Sequence, residues 1–357
     1  MYRIKISPHW EIARGTEEAL DTAILLSLLK AVQDTGSIAQ AAQAAGLSYR
    51  YAWGLLRDGE KLFGSPLMQT GRGRGTRLTP LAEKLIWADR RIAARLTPTL
   101  ESLASELGDE LNRMVMQPPA TIRIDASHGF AVAAMLNHLD AARLPVKLRY
   151  RNSTDAVAAL AQNECDLAGF HVPLGKFEQA AARRYAQWLD PARHCLIHLA
   201  VRRQGLFLAP GNPKHIGRLE DLLRPDVRFV NRQAGSGTRM LVELMLADAG
   251  MDPARISGFD SAEFTHSAVA AYIASGMADV GIGVETAARR FGLDFLPLLE
   301  ERYFFAVPIA GLEQTLMREV RNVLQSPAFR DEVQTLSGYD AGETGRLLKL
   351  EEAFPAT

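Results

Sequence analysis

Apolar Leu25, Leu28, Leu29 and Val32 recur at threes and fours, so the spacing predicts a helix over 19–35 that ends at Gly36. Ser37 is placed to cap a second, short helix over 38–45, whose five alanines suit close packing. Ser48 is placed to cap a third over 49–63, after only Gly46-Leu47-Ser48, and helix, tight turn, helix is the helix-turn-helix plan. In the third helix Ala52, Leu56, Gly59 and Phe63 share one face as core candidates, which leaves Tyr49, Arg50, Trp53 and Arg57 elsewhere. Gly54 and Gly59 inside this helix each cost about 1 kcal/mol relative to alanine, so packing or close backbone approach to a partner must support it. The stretch MQTGRGRGTRL over 68–78 cannot pack a core and suits a β-hairpin wing. Thr79 and Pro80 open a long helix over 81–107, with Leu81, Leu85, Ile92, Leu96, Leu100, Leu103 and Leu107 as an apolar stripe for a partner helix or for its own domain. Tyr2–Ile6 alternates as a strand would.

Gln117-Pro118-Pro119 reads as a linker, and beyond it the pattern changes. Strands at 121–125, 146–150 and 166–170 alternate with helices at 130–139 and from Ser153 or Thr154 to Asn163. A second set follows: strand 228–231, helices 238–249 and 267–275, strand 280–284, then helices near 312–325 and 328–336. Such alternation marks a parallel sheet with helices on its faces. Extended crossings at about 199–209 and 302–309 imply two lobes around a cleft.

The 357 residues allow two or three domains, and 47% hydrophobic with 23% charged residues excludes disorder, collagen and coiled-coil rod. No window approaches the ~20 apolar residues of a membrane span, and the first residues lack the apolar core of a signal peptide. A cytoplasmic protein without membrane partners is expected. Cys165 and Cys195 are too few for a disulfide framework or a structural zinc site. Net charge is zero, yet residues 48–95 hold ten basic side chains against four acidic. A local basic excess is what phosphate neutralisation requires, although solvated surface explains many such stretches.

The run Thr35-Gly36-Ser37-Ile38-Ala39-Gln40-Ala41-Ala42, followed by Ala45-Gly46-Leu47-Ser48-Tyr49-Arg50-Tyr51-Ala52-Trp53, resembles the winged helix-turn-helix of ModE-type molybdate-responsive regulators, relatives of the LysR type. Gly73-Arg74-Gly75-Thr76-Arg77-Leu78-Thr79-Pro80 is similar to the stretch that joins wing to linker helix, and the resemblance covers about 20–107. It implies that the third helix enters the major groove of double-stranded DNA. Ser48, Tyr49, Arg50, Tyr51, Trp53 and Arg57 are then candidate contacts, with Arg72, Arg74 and Arg77 gripping phosphates from the wing. Packing against the first helix is an equal alternative for Trp53.

Residues 121–340 resemble a periplasmic-binding-protein-type effector domain, most tellingly at Phe229-Val230-Asn231-Arg232-Gln233-Ala234-Gly235-Ser236-Gly237-Thr238-Arg239. This stretch is similar to the ligand loop of molybdenum-linked regulators and cofactor proteins and, more loosely, of tungstate-binding proteins. The chemistry is readable directly. Ser236, Gly237 and Thr238 open a helix, whose free N–H groups and partial positive charge favour an anion. Arg232 and Arg239 add planar forks for an oxyanion. Ser127-His128, Ser153-Thr154 and Thr265-His266 mark three more helix starts, and in a doubly wound fold such loops converge on one crevice. Each hydroxyl taken alone is better explained by a plain helix cap, and it is four such starts with two arginines at one crevice that point to an anion. His171 ends a strand and is a candidate for the cleft, with a surface turn histidine as an equal alternative, and Glu285, which follows another strand, is a candidate for cleft or hinge.

The expected fold class is an α+β winged helix-turn-helix domain (1–80), a linker and dimerisation helix (81–118), and an α/β two-lobed periplasmic-binding-protein-like domain (119–357). The expected function is one-component transcription regulation. A homodimer or tetramer would bind an inverted repeat and sense a small anionic effector: a molybdate- or tungstate-type oxyanion, formate, or a molybdopterin-type ligand, for which Phe130 or Phe170 could supply an aromatic slot. The competing class is a ligand-binding protein whose N-terminal helices serve protein contacts. An enzyme is disfavoured, because Ser236 lies outside a GxSxG elbow and no HExxH or CxxC supports a metal centre.

Overall fold

The computed structural model describes residues 4–15, 19–71, 75–115 and 120–354. It divides into two compact units, Ser7–Leu96 and the chain from Thr97 onward with the first few residues. The division falls inside the long helix rather than at either of its ends. The Gln117-Pro118-Pro119 linker lies outside the described residues.

In the first unit, β1 (Glu11–Ile12) pairs antiparallel with β2 (Leu20–Asp21). Helix α1 (Thr22–Thr35) follows, and it starts later than its periodicity suggests because Asp21 caps it, accepting the Ala23 N–H at 2.8 Å. Ser37 caps α2 (Ile38–Ala44) and Ser48 caps α3 (Tyr49–Phe63). The wing forms as expected: β3 (Met68–Gly71) pairs with β4 (Gly75–Leu78). Leu25, Leu28, Leu29 and Val32 of α1 pack on Ala52 and Leu56 of α3 and on Ala82 and Ile86 of α4 (Pro80–Val115). Gly59 belongs to this core, where a β-carbon would meet Leu67 at 2.8 Å, whereas Gly54 faces open space. Helix α4 runs on past the expected end at 107. Residues 4–6 form no strand.

In the second unit the βα pattern continues with β5 (Ile122–Ala126), α5 (Phe130–Ala141), β6 (Val146–Tyr150), α6 (Ser153–Ala161), β7 (Leu167–Pro173), α7 (Glu178–Tyr185) and the long β8 (His194–Leu208). Next come β9 (Phe229–Arg232), α8 (Gly237–Asp248), β10 (Ala262–Glu263), α9 (His266–Ala274), β11 (Val280–Val284), α10 (Glu285–Arg290) and the long β12 (Asp294–Pro308). Helices α11 (Thr315–Gln325) and α12 (Pro327–Thr335), strands β13 (Tyr339–Asp340) and β14 (Leu347–Lys349), and α13 (Leu350–Ala353) complete the chain described.

One mixed sheet runs in the order β10-β9-β11-β8-β12-β7-β5-β6, with β13 and β14 adding to β8. The pairs β5–β6, β5–β7, β9–β11 and β9–β10 are parallel, as helix crossovers require. Strands β8 and β12 are antiparallel to each other, and each belongs to both ends of the sheet. They are the two crossings, and the β5–β6–β7 and β9–β10–β11 ends are the two lobes. Each lobe has apolar layers on both sheet faces, built around Leu139 and Phe170 in one and around Leu241 and Val269 in the other.

Candidate functional site

The helix-turn-helix candidates lie on an outer face. Tyr49 and Tyr51 are about half exposed (52% and 51%), and Arg50, Arg57 and Arg77 are exposed. Ser48, besides capping α3, shares with Arg50, Tyr51 and Gly54 the wall of an open surface groove of about 580 Å³. Trp53 is half-buried against the core, and its indole N–H donates to the Tyr49 hydroxyl. Arg72 and Arg74 lie outside the described residues.

In the two-lobed unit, strand ends and helix starts bring a polar cluster together. Arg232, last residue of β9, is 3% exposed. It donates from Nε to Glu263 O and from Nη2 to Phe264 O, while Nη1 has no partner. Among the described residues Arg232 forms no ion pair. Burial, and next the charge of Arg202, pull its guanidinium down to about 9. A second buried arginine, Arg202 of β8, is compensated, donating from Nε to Glu301 Oε1 of β12 at 2.6 Å.

Three imidazoles lie in the field of these two cations. His171 of β7 bonds Ser153 Oγ at 3.0 Å through Nδ1 and Ser127 Oγ at 3.4 Å through Nε2. His266 begins α9, and its Nδ1 has no partner. His128, in the loop between β5 and α5, lies 5.0 Å ring to ring from Tyr150. Burial first, then the arginine charges, lower the pKa of all three, that of His128 to about 4. The histidines are therefore neutral near pH 7. Thr238 at the start of α8 accepts from Gln204 Nε2 at 3.0 Å, and the same amide donates to Glu301 Oε1 at 2.8 Å. Gly237 closes on His171, where a β-carbon would come within 3.0 Å of the histidine Cβ.

The lobes touch around this cluster. The Thr154 N–H donates to Gly235 O at 3.3 Å, and Arg290 of α10 lies over the Phe130 ring at 4.4 Å. The summed charge decides what the cluster can hold. Arg202 and Glu301 cancel, the histidines are neutral, and Arg232, cross-strand from the buried Glu263, forms no ion pair among the described residues. A buried, unpaired charge is costly unless a counter-ion joins it.

Several expectations need correction. Arg239 donates to Glu243 Oε1 at 2.9 Å one turn along α8 and stacks on Phe259 at 4.1 Å, so its fork is engaged elsewhere. Glu285 is held by Arg289 at 3.0 Å and Arg203 at 3.2 Å. Strand alternation turns Arg203 away from Arg202, and Glu285 goes with it. The Ser236 hydroxyl is spent on capping, donating to Gln233 O and accepting from the Arg239 N–H. The Thr265 hydroxyl accepts the Ala268 N–H. Asn152, rather than Ser153 or Thr154, caps α6. Phe170 is buried against Tyr185 and Phe304 and offers no aromatic slot.

Arg202, Gln204 and Glu301 were missed, as was Tyr303, whose ring lies 4.4 Å from that of His171. Their signal was polar side chains within the extended runs LIHLAVRRQGLFL and EERYFFAVP, which a fully buried strand tolerates only where they find partners. Among the described residues no group of three or more His, Cys, Asp or Glu is placed to hold a metal ion, and no helix is long and apolar enough to cross a membrane.

Residues 135–325 match the PBP superfamily domain, and residues 25–83 match the bacterial regulatory helix-turn-helix protein, lysR family. Uncharacterized protein YvgK of Bacillus subtilis (strain 168) is 32% identical over 212 residues, covering 59% of this chain and 68% of that protein. Molybdenum transport protein ModE of Herbaspirillum seropedicae is 44% identical over 73 residues, 19% of this chain and 27% of that one. Molybdenum-pterin-binding protein MopB of Rhodobacter capsulatus is 30% identical over 139 residues, 38% of this chain and 51% of that one.

Proposed function

Because the chain belongs to the PBP superfamily and carries a lysR-family helix-turn-helix, it is a LysR/ModE-like DNA-binding transcriptional regulator with an effector-binding domain, and we propose that its effector is a small oxyanion. The observation that carries the proposal is Arg232, a buried guanidinium with Nη1 unbonded and, among the described residues, no ion pair. An anion between the lobes supplies the missing charge, with the imidazoles, Ser127, Ser153 and Thr238 as hydrogen-bonding neighbours. Molybdate or tungstate is the first choice, supported by the names of the ModE and MopB relatives. A pterin is less well served, since Phe170 is packed away and Phe130 carries Arg290. Formate would satisfy the charge with fewer contacts.

The same proposal makes the protein a sensor without catalytic activity and a homodimer on an inverted repeat. Leu96, Leu103 and Leu107 remain exposed along α4, which suits pairing with a second copy. Closure of the lobes on the anion would then change how two heads are presented to DNA.

The deciding measurement is thermal unfolding of the full chain with sodium molybdate, tungstate, sulfate, phosphate or formate. Molybdate and tungstate should raise Tm in a dose-dependent way. A Tm unmoved by any of the five would refute the oxyanion effector.

A further inference from the structure

Strand β6 is the last strand at its side of the sheet, so its outward N–H groups have no neighbouring strand. Helix α4 supplies two of the missing acceptors. The Leu148 N–H donates to Ser105 Oγ and the Tyr150 N–H to Ser102 Oγ, both at 2.9 Å. Lys147 adds an ion pair to Asp109 at 3.1 Å. The seam is therefore polar and specific in register.

Its Tyr150 end is also the cluster's edge. Tyr150 closes β6 two residues before Asn152, the cap of α6, and Ser153 follows with its bond to His171. The Tyr150 ring packs on His128, which feels the charge of Arg232. On the helix side, the Ser102 hydroxyl is used twice. It accepts the Tyr150 N–H and donates its own proton to Pro98 O at 2.9 Å.

Pro98 sits inside α4. It lacks the N–H that would bond the carbonyl four residues back, and its ring crowds that carbonyl, so this is where the helix bends most easily. A serine bonding to the carbonyl four residues before it adds to such a bend. The division between the two compact units falls beside it, between Leu96 and Thr97.

We propose that Ser102 couples the effector cluster to the helix-turn-helix: movement of β6 at Tyr150 makes or loosens the Ser102 bridge to Pro98 and so resets the bend of α4. The proposal rests on the effector reading of the Arg232 cluster. Ser102 bonds only the backbone of Tyr150 at the cluster's edge and none of the cluster's own side chains, so its removal should leave both binding events intact and break only the link between them.

The test uses the full-length protein, sodium molybdate, and a duplex that the wild type selects from a random pool. Molybdate Kd and duplex Kd are each measured with and without the other ligand. The wild type should show a coupling factor of about fivefold or more, within the usual range for linked sites. Ser102→Ala should keep each separate Kd within about twofold while the coupling factor falls below about two. Ser105→Ala, which releases an equivalent N–H but does not reach Pro98, should keep the wild-type factor. Wild-type coupling in Ser102→Ala, equal loss in both variants, or a wild type that binds both ligands without coupling would each overturn the proposal.

Failure of every anion to bind would overturn the effector reading alone, and hydrogen exchange then decides the coupling. His128→Ala should change exchange at α4 amides 99–104 in the wild-type background and leave them unchanged when Ser102→Ala is also present. The same change in both backgrounds, or in neither, rules the bridge out.

Discussion

Replacing Arg232 with methionine removes the unpaired charge while keeping much of the side-chain volume. Holding this guanidinium at about 9, when its ordinary value is above 12, corresponds to about 5 kcal/mol at 1.36 kcal/mol per tenfold. Against that stands the loss of two hydrogen bonds, which leaves Phe264 O unbonded at about 1–3 kcal/mol, while Glu263 O keeps the Gln233 N–H. The variant without ligand should therefore be at least as stable as the wild type, despite losing a buried residue's contacts. The sign with pH follows from the lowered value. The wild-type penalty is complete below about 9 and fades as pH rises toward the unfolded value, so wild-type stability should gain on the variant in alkali. With molybdate at a hundredfold excess over Kd, the wild type gains about 2.7 kcal/mol. For a domain of this size that is a rise of roughly 5–10 °C in Tm. Arg232→Met should show a rise below about 1 °C under the same conditions. Calorimetry of both proteins, with and without molybdate, reads all three quantities. A variant that keeps the molybdate shift, or that loses several kcal/mol without ligand, would refute the assignment of Arg232 as an anion's counter-charge.

Further outcomes are expected. The three cluster imidazoles have lowered pKa values, so the unfolded chain takes up protons first as pH falls below 6.5, and stability should drop from there toward about 4. His128 alone accounts for about 3 kcal/mol of that drop, so urea midpoints of His128→Gln should fall less steeply with acid, and an unchanged slope would contradict its burial as a neutral ring. On the helix-turn-helix, Arg77→Ala should weaken binding of every duplex alike and reduce the salt slope by about one. Arg50→Ala should also relax preference among sequences by about 1–3 kcal/mol at the affected base pair. Anisotropy titrations at several salt concentrations separate the two, and affinity unmoved by either change would remove α3 and the wing from the DNA interface.

Much of the fold was legible because its causes are local. Helix periodicity and capping serines set α2 and α3, and alternating βα segments with two extended crossings implied a two-lobed sheet. Errors came where a neighbour in sequence competed. Asp21 capped α1 ahead of the apolar run, and Asn152 capped α6 ahead of two hydroxyls. In the cluster, Arg232 and the imidazoles could be proposed from helix starts and strand ends, whereas Arg239 could not be told from Arg232. Both are arginines at the same loop, and only folding shows that Glu243 and Phe259 satisfy one of them.

Local order along the chain thus determined the elements, the winged helix-turn-helix and the two lobes, since caps, turns and apolar spacing act over a few residues. Tertiary structure alone decided which charges cancel. Arg202 and Glu301 are 99 positions apart and pair only because β8 and β12 align in register. Arg232 gains its meaning by having no such partner among the described residues. Compensation of a buried charge depends on what stands within a few ångströms in space, and a sequence orders residues only along the chain.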